Sequence, residues 1–148
     1  MGWQIIASQP SESRNDSFSE ESIYSRIKLL VDKYEEILSQ AKVAPGYVGV
    51  DDNRIRIFLS QLDKLLEDSK TLASDIVEHV GNYSSSEVGR HIRAYYNYLR
   101  VVGVPYLVDL LEELRNKLVE SSCKDCVEKA ESLITGFRSL MDTLRPRV

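Results

Sequence analysis

The chain has 148 residues and a formal net charge of −4, with 43% hydrophobic and 28% charged residues. These values fit one globular domain, and they exclude both a chain that is disordered throughout and a protein that coats nucleic acid through bulk positive charge. No sequence stretch approaches the roughly 18 apolar residues of a membrane helix, so we expect a cytoplasmic protein without membrane contact.

Two regions are expected along the chain. Residues 1–16 are polar and serine-rich apart from Trp3, Ile5 and Ile6, which predicts a flexible N-terminal arm with one apolar end. Residues 17–148 show helical periodicity throughout, which predicts a single helical bundle domain.

The first predicted helix begins at Ser17, because Glu20 completes a capping box three residues later, and it ends before Pro45. Its apolar side chains recur at steps of three and four residues, which places them on one helical face. They are Ile23, Ile27, Leu30, Val31, Tyr34, Ile37, Leu38 and Ala41.

The second predicted helix runs from about Asp52 to Val80 and is the longest. At about 1.5 Å per residue it spans roughly 45 Å, which is longer than a compact bundle of this size needs. We therefore expect a projecting end or an oligomer seam. Its apolar seam has one polar interruption and consists of Ile55, Leu59, Leu62, Leu66, Ser69, Ala73, Ile76 and Val80.

Three shorter helices follow. The third begins with a capping box at Ser84 and closes at Gly103, and the fourth carries Pro105 in its first turn. The fifth begins at Ser122, capped with Asp125, and ends before the C-terminal proline. Since no stretch alternates with the period of a strand, the predicted fold is all-α: a five-helix bundle with a long second helix and a flexible N-terminal arm.

The third helix carries an unusual charge pattern. The stretch from Val88 to Val108 contains three arginines and no acidic residue. The residues Arg90, Arg93, Asn97 and Arg100 fall at i, i+3, i+7 and i+10, on about one quarter of the helix circumference. The predicted apolar face lies opposite and consists of Val88, Ile92, Tyr95, Tyr96, Leu99 and Val102.

A cationic stripe backed by an apolar face suits a helix that packs into a core and also holds a polyanion. Tyr96 and Tyr98 border the stripe and could stack on bases. Arg138, Arg145 and Arg147 could extend the surface. The candidate nucleic-acid-binding residues are Arg54, Arg56, Arg90, His91, Arg93, Tyr96, Asn97 and Arg100. In the alternative interpretation, the arginines only pair with glutamates of neighbouring helices.

The chain has two cysteines, Cys123 and Cys126, which excludes a scaffold of several disulfides. Three interpretations remain open for this pair: buried structural residues at a helix start, a redox dithiol or reversible disulfide, or half of a zinc site completed by His79 and His91. The first is favoured, so no metal or other cofactor is predicted. No catalytic motif is present, and we expect a protein that is not an enzyme.

The segment Asn53–Ser60 resembles the start of the second helix in the small all-helical subunit of Csm-type (type III) CRISPR effector complexes. That family carries a basic residue, Ile, Arg, any residue, an aromatic residue, Leu and Ser at this place. A basic, aromatic-containing helix then follows, as Arg93–Arg100 does here, although Glu131–Arg138 departs from the family's usual last helix. The resemblance implies a non-catalytic subunit in antiviral defence that lines a filament beside guide and target RNA. The residues that would then contact the RNA backbone are Arg54, Arg56, Arg90, Arg93 and Arg100.

The leading hypothesis is thus a non-catalytic helical subunit that contacts an RNA backbone within a multi-subunit complex. The alternative is a helical adaptor that assembles with itself or with another protein and binds no nucleic acid.

Overall fold

The structure, a computed structural model, describes residues 19–76 and 86–144. All of its regular elements are helical, as predicted. They are α1 (Glu20–Val43), a 3₁₀ turn (Ala44–Tyr47), α2 (Asp52–Ile76), α3 (Glu87–Tyr98), a π-helical turn (Leu99–Gly103), α4 (Val104–Leu118) and α5 (Lys124–Thr143). The predicted N-terminal arm lies outside the described residues. None of the helices in the described ranges is long and apolar enough to cross a bilayer.

The five-helix count needs a correction, because the π-helical turn joins α3 and α4 into one continuous rod and the described bundle has four rods. Pro105 cannot donate a backbone hydrogen bond and its ring crowds the preceding turn, so a regular α-helix cannot pass through this point. The wider π turn leaves room for the Pro105 ring, and the helical backbone continues through it. A side chain at Gly103 would bring its Cβ within 3.2 Å of the Tyr98 ring, so this ring would have to shift by a few tenths of an ångström.

The four rods alternate in direction along the chain. Arg26 near the start of α1 donates to Asp75 near the end of α2 over 2.7 Å, which shows that these helices are antiparallel. Arg56 and Asp125 pair near the starts of α2 and α5, so these two run parallel. The short turn of residues 119–123 then makes α4 and α5 antiparallel.

The lengths of α1 and α2 are matched, with 24 and 25 residues. The second helix is thus the longest of the described α-helices, as predicted, but by only one residue, and its described part ends at Ile76. Residues 77–80 lie outside the described ranges.

Serine caps begin α1 and α3, two residues later than predicted. Ser19 and Ser86 each accept a hydrogen bond from the backbone N–H three residues onward, at 3.2 and 3.1 Å. The predicted caps, Ser17 and Ser84, fall outside the described residues.

The centre of the core contains one polar contact. The hydroxyl groups of Tyr34 and Ser69 lie 2.7 Å apart, and Ser69 also donates to the carbonyl of Leu65 at 2.7 Å. Tyr34 meets the ring of Phe137 edge-on, with 6.5 Å between centroids. The polar interruption in the predicted seam of α2 is therefore the partner of a buried tyrosine. Burial raises the pKa of Tyr34 well above its ordinary value.

We expect the unfolding free energy of the Tyr34→Phe variant to fall less steeply at high pH than that of the wild type. Folding raises the pKa of Tyr34 because the buried side chain is more stable in its neutral form. The free energy that this neutral side chain contributes to folding is fully present below the unfolded pKa of about 10, and it is lost as the pH rises above that value. Above that pH the wild type should lose unfolding free energy faster than the variant, by up to about 1.4 kcal/mol per pH unit. Urea unfolding of both proteins at about pH 8 and about pH 11 measures this difference. Equal pH slopes would contradict it.

Candidate nucleic-acid interface

Helix α3 turns its polar side outward. Its buried residues include Ile92, Tyr96 and, at the start of the π turn, Leu99. On the opposite side Arg90, His91 and Asn97 are exposed, while Arg93 and Arg100 are half-buried. The predicted stripe therefore forms one outward surface, because the helical period of three and four residues continues to the π turn.

Tyr96 does not belong to that surface. Its side chain is only 3% exposed and packs in the core, so its assignment to nucleic-acid binding is wrong. Tyr98 is half-buried. The pKa of Tyr98 is raised, mainly by burial and to a smaller extent by the nearby Glu35 carboxylate. A carboxylate beside this ring disfavours a phosphate there. Val102, placed on the apolar face by sequence, is exposed because the π turn shifts the register after Tyr98.

Arg100 lies in the π turn and has an unusual environment. Its Nη2 donates to Asn97 Oδ1 at 3.2 Å, whereas its buried Nε has no hydrogen-bond partner. Among the described residues, no carboxylate oxygen lies within the 4.0 Å of an ion pair with this guanidinium. A buried donor on a permanently charged group costs free energy unless an acceptor satisfies it. Arg100 therefore offers a place for an incoming anion.

An aromatic cluster flanks the same surface on the side of α1. Tyr24, His91 and Tyr95 place their ring centroids 6.0, 6.1 and 6.5 Å apart. The two tyrosines are half-buried and His91 is exposed, with exposed Ala94 between this cluster and the arginines. Such rings can stack on unpaired bases. Tyr24 is not among the site residues predicted from the sequence, although its position beside the apolar seam of α1 was the available signal, and Tyr95 was predicted to lie on the apolar face.

Arg54 and Arg56 belong to another part of the molecule. Arg54 lies 3.5 Å from Asp51 and 4.9 Å above the ring of Tyr47. Arg56 forms two hydrogen bonds to Asp125, at 2.9 and 3.2 Å, and this contact raises the pKa of Arg56 and lowers that of Asp125. Both arginines therefore already have carboxylate partners.

Their position also separates them from the stripe. The start of α3 lies beside the start of α1, since Ser86 donates to Glu20 at 3.2 Å. The start of α2 is at the far end of α1, roughly 30 Å along the helix axis from the start of α3, and the stripe covers only about the first 20 Å of this length. The prediction that Arg54 and Arg56 extend the stripe is therefore wrong, because it depended on helix direction.

Of the three basic residues near the C-terminus that were predicted to extend the surface, the structure describes one. Arg138 pairs with Glu112 of α4 and is not part of the stripe. Leu144, the last described residue, lines an apolar cavity together with Tyr96. Arg145 and Arg147 lie outside the described ranges.

Cys123 and Cys126 form a disulfide, with their Cα atoms 5.3 Å apart, and both side chains are buried. The bond itself belongs to the alternative interpretation that allowed a disulfide, while the burial of both side chains and the position of Cys123 before α5 agree with the favoured structural interpretation. No side chain caps this helix, so the predicted cap at Ser122 is wrong. His91 belongs to the aromatic cluster near the start of α1, far from the cysteines, which contradicts its place in a zinc site. His79 lies outside the described ranges.

No family model, curated protein or solved structure matches this chain. The resemblance of Asn53–Ser60 to a CRISPR small subunit therefore stays a prediction. Within that segment Ile55, Phe58 and Leu59 are buried, so the shared pattern coincides with residues that build the core.

Proposed function

We propose that this protein is a non-catalytic helical subunit that contacts the backbone of single-stranded RNA through the outward side of α3. We call this the α3 surface; it consists of Arg90, His91, Arg93, Asn97, Arg100 and the flanking rings of Tyr24 and Tyr95. The observation that carries the proposal is Arg100, whose guanidinium has a buried, unsatisfied Nε and no carboxylate partner among the described residues.

Phosphate suits this site for chemical reasons. Guanidinium is planar, always charged and donates to two oxygens at once, which matches a phosphate group. Five other arginines of the described chain have a carboxylate within ion-pair distance: Arg26, Arg54, Arg56, Arg115 and Arg138. Arg100 differs from all five, and the stretch around it contains no acidic residue that could take the place of an incoming anion.

A single strand is a better fit than a duplex. The arginines lie along one edge of α3 and the aromatic cluster along the other, which brings backbone contacts and stacking platforms to one narrow surface. Only unpaired bases can be splayed onto such rings. From Arg90 to Arg100 the surface extends roughly 15 Å, enough for a few nucleotides.

The more specific form of the proposal is a divergent small subunit of a type III CRISPR complex, which rests on the Asn53–Ser60 pattern. A protein adaptor is the second candidate, and one observation favours it. Large apolar side chains are exposed along α1 and α2, including Leu29, Val43 and Ile57, and such surfaces commonly contact protein. An adaptor would use this side of the bundle and leave α3 in solvent.

Salt dependence of RNA binding separates the two candidates. If the three arginines of the stripe each neutralise one phosphate, the slope of log K against log salt is about −2 for a single strand. The dissociation constant for a fluorescent single-stranded RNA should then rise roughly 20-fold between about 50 and about 200 mM salt. Fluorescence anisotropy measures it. No binding, or binding that salt leaves unchanged, would contradict the proposal and favour the adaptor.

A further inference from the structure

A groove runs along the outer side of the bundle between α1 and α2. It contains a cavity of about 450 Å³ between the end of α1 and the start of α2, and a second of about 310 Å³ toward the other ends of these helices. On α1 the lining positions include Arg26, Leu29, Lys33, Gln40 and Val43, which recur at steps that keep them on one face. We call this the α1–α2 groove.

The larger cavity is apolar and open. Val43 and Ile57 line it while remaining 58% and 60% exposed, and Tyr47 and Phe58 also face it. Single exposed apolar side chains are ordinary, but here two of them border one cavity whose remaining lining is largely apolar. Such a cavity gains free energy when a further apolar group fills it.

We propose that the chain's own N-terminal residues Trp3–Ile6 fill this cavity. They are the apolar end of an otherwise polar stretch and include Trp3, Ile5 and Ile6. From Ile6 to Ser19 the chain can extend over roughly 43 Å, whereas Val43 lies about 36 Å along α1 from Ser19. The segment therefore reaches the cavity of its own molecule if it folds back at the start of α1.

The cavity also suits an indole chemically. Buried tryptophan combines a large apolar ring with one N–H that needs an acceptor. Tyr47 and Phe58 line the cavity, with Arg54 lying 4.9 Å above the Tyr47 ring, and the side-chain amides of Gln40 and Gln61 offer acceptors. This inference goes beyond the proposed function and does not depend on it, because the groove and the α3 surface are formed by different residues.

Trp3 is the only tryptophan in the chain, so tryptophan emission reports on the environment of this side chain alone. In the native protein we expect blue-shifted emission and weak acrylamide quenching, compared with the chain in denaturant. The double variant Val43→Asp/Ile57→Asp should shift the emission to that of solvent-exposed tryptophan and raise the quenching constant several-fold. Val119→Asp is the matched control, since Val119 is 59% exposed and lies outside the groove, and it should change neither value.

Circular dichroism of the double variant checks that the helices persist. If that variant fails to fold, the native protein still decides the matter, because solvent-exposed emission of Trp3 in the wild type would overturn the proposal. A blue shift that disappears on dilution would also overturn it, since the segment would then occupy the groove of a second copy. A shift that is independent of protein concentration and abolished only by the groove variant supports it.

Discussion

Replacing Arg90, Arg93 and Arg100 together by Gln should weaken binding to single-stranded RNA roughly 100-fold at low salt. Each arginine donates charge-assisted hydrogen bonds to phosphate oxygens, and losing about 1 kcal/mol at each position removes about 3 kcal/mol of binding free energy. The melting temperature should change little, because all three side chains lie on the outer side of α3 or at its edge. Anisotropy titrations of both proteins at equal salt measure the effect.

A second triple variant, Arg54→Gln, Arg56→Gln and Arg138→Gln, removes the same number of charges from arginines that pair with carboxylates. These residues lie away from the α3 surface, and exposed ion pairs of this kind contribute little to stability. We expect RNA affinity close to that of the wild type. Equal losses in the two triple variants would mean that binding follows net charge and has no defined surface.

Phe137→Ala should cause a large loss of stability. Phe137 is fully buried and meets Tyr34 edge-on at the centre of the bundle. Truncating such a ring removes its transfer free energy and leaves a cavity, at a cost of about 4 kcal/mol. For a chain of this length that lowers the melting temperature by roughly 12 °C. Thermal unfolding followed by circular dichroism measures it.

The matched control is Val119→Ala, which shortens an exposed apolar side chain. It should shift the melting temperature by less than about 2 °C, since surface substitutions of this kind rarely exceed 0.5 kcal/mol. If Phe137→Ala behaved like this control, α5 would not pack against α1 as described.

The sequence predicted the helices and their buried faces well. In α1 every residue of the predicted seam is buried, and in α2 every described residue of the predicted seam, from Ile55 to Ile76, is buried as well. Long helices in a bundle repeat their apolar side chains with the helical period, so one chain is enough to find them. The sequence predicted that the third helix ends at Gly103, whereas the structure has a π turn there that joins α3 to α4. Local sequence does not decide between a loop and a π turn, because the outcome depends on how neighbouring helices hold both ends.

Less of the candidate site could be predicted from the sequence. The stripe was found, since it depends only on spacing within α3, but Tyr96 was assigned to the wrong side because its ring could be core or surface. The separation of Arg54 and Arg56 from the stripe depends on the antiparallel order of α1 and α2. Contacts between distant parts of the chain, such as Arg56 with Asp125, do not follow from local periodicity.

The special position of Arg100 likewise needed the fold. By sequence it is one of three equivalent arginines, and only the structure shows that its Nε is buried without a partner. The aromatic cluster beside it joins Tyr24 of α1 to His91 and Tyr95 of α3, across more than 60 residues of chain. A local pattern cannot bring such residues together.

The most direct test of RNA-backbone contact through the α3 surface is the salt slope of binding for the wild type and the two triple variants. Counterion release from a single strand contributes about 0.7 to the slope for each neutralised phosphate. Removing Arg90, Arg93 and Arg100 should therefore reduce the magnitude of the slope by about 2, while the Arg54, Arg56 and Arg138 variant keeps the wild-type slope. An unchanged slope in the first variant, or an equal reduction in both, would contradict the proposed function.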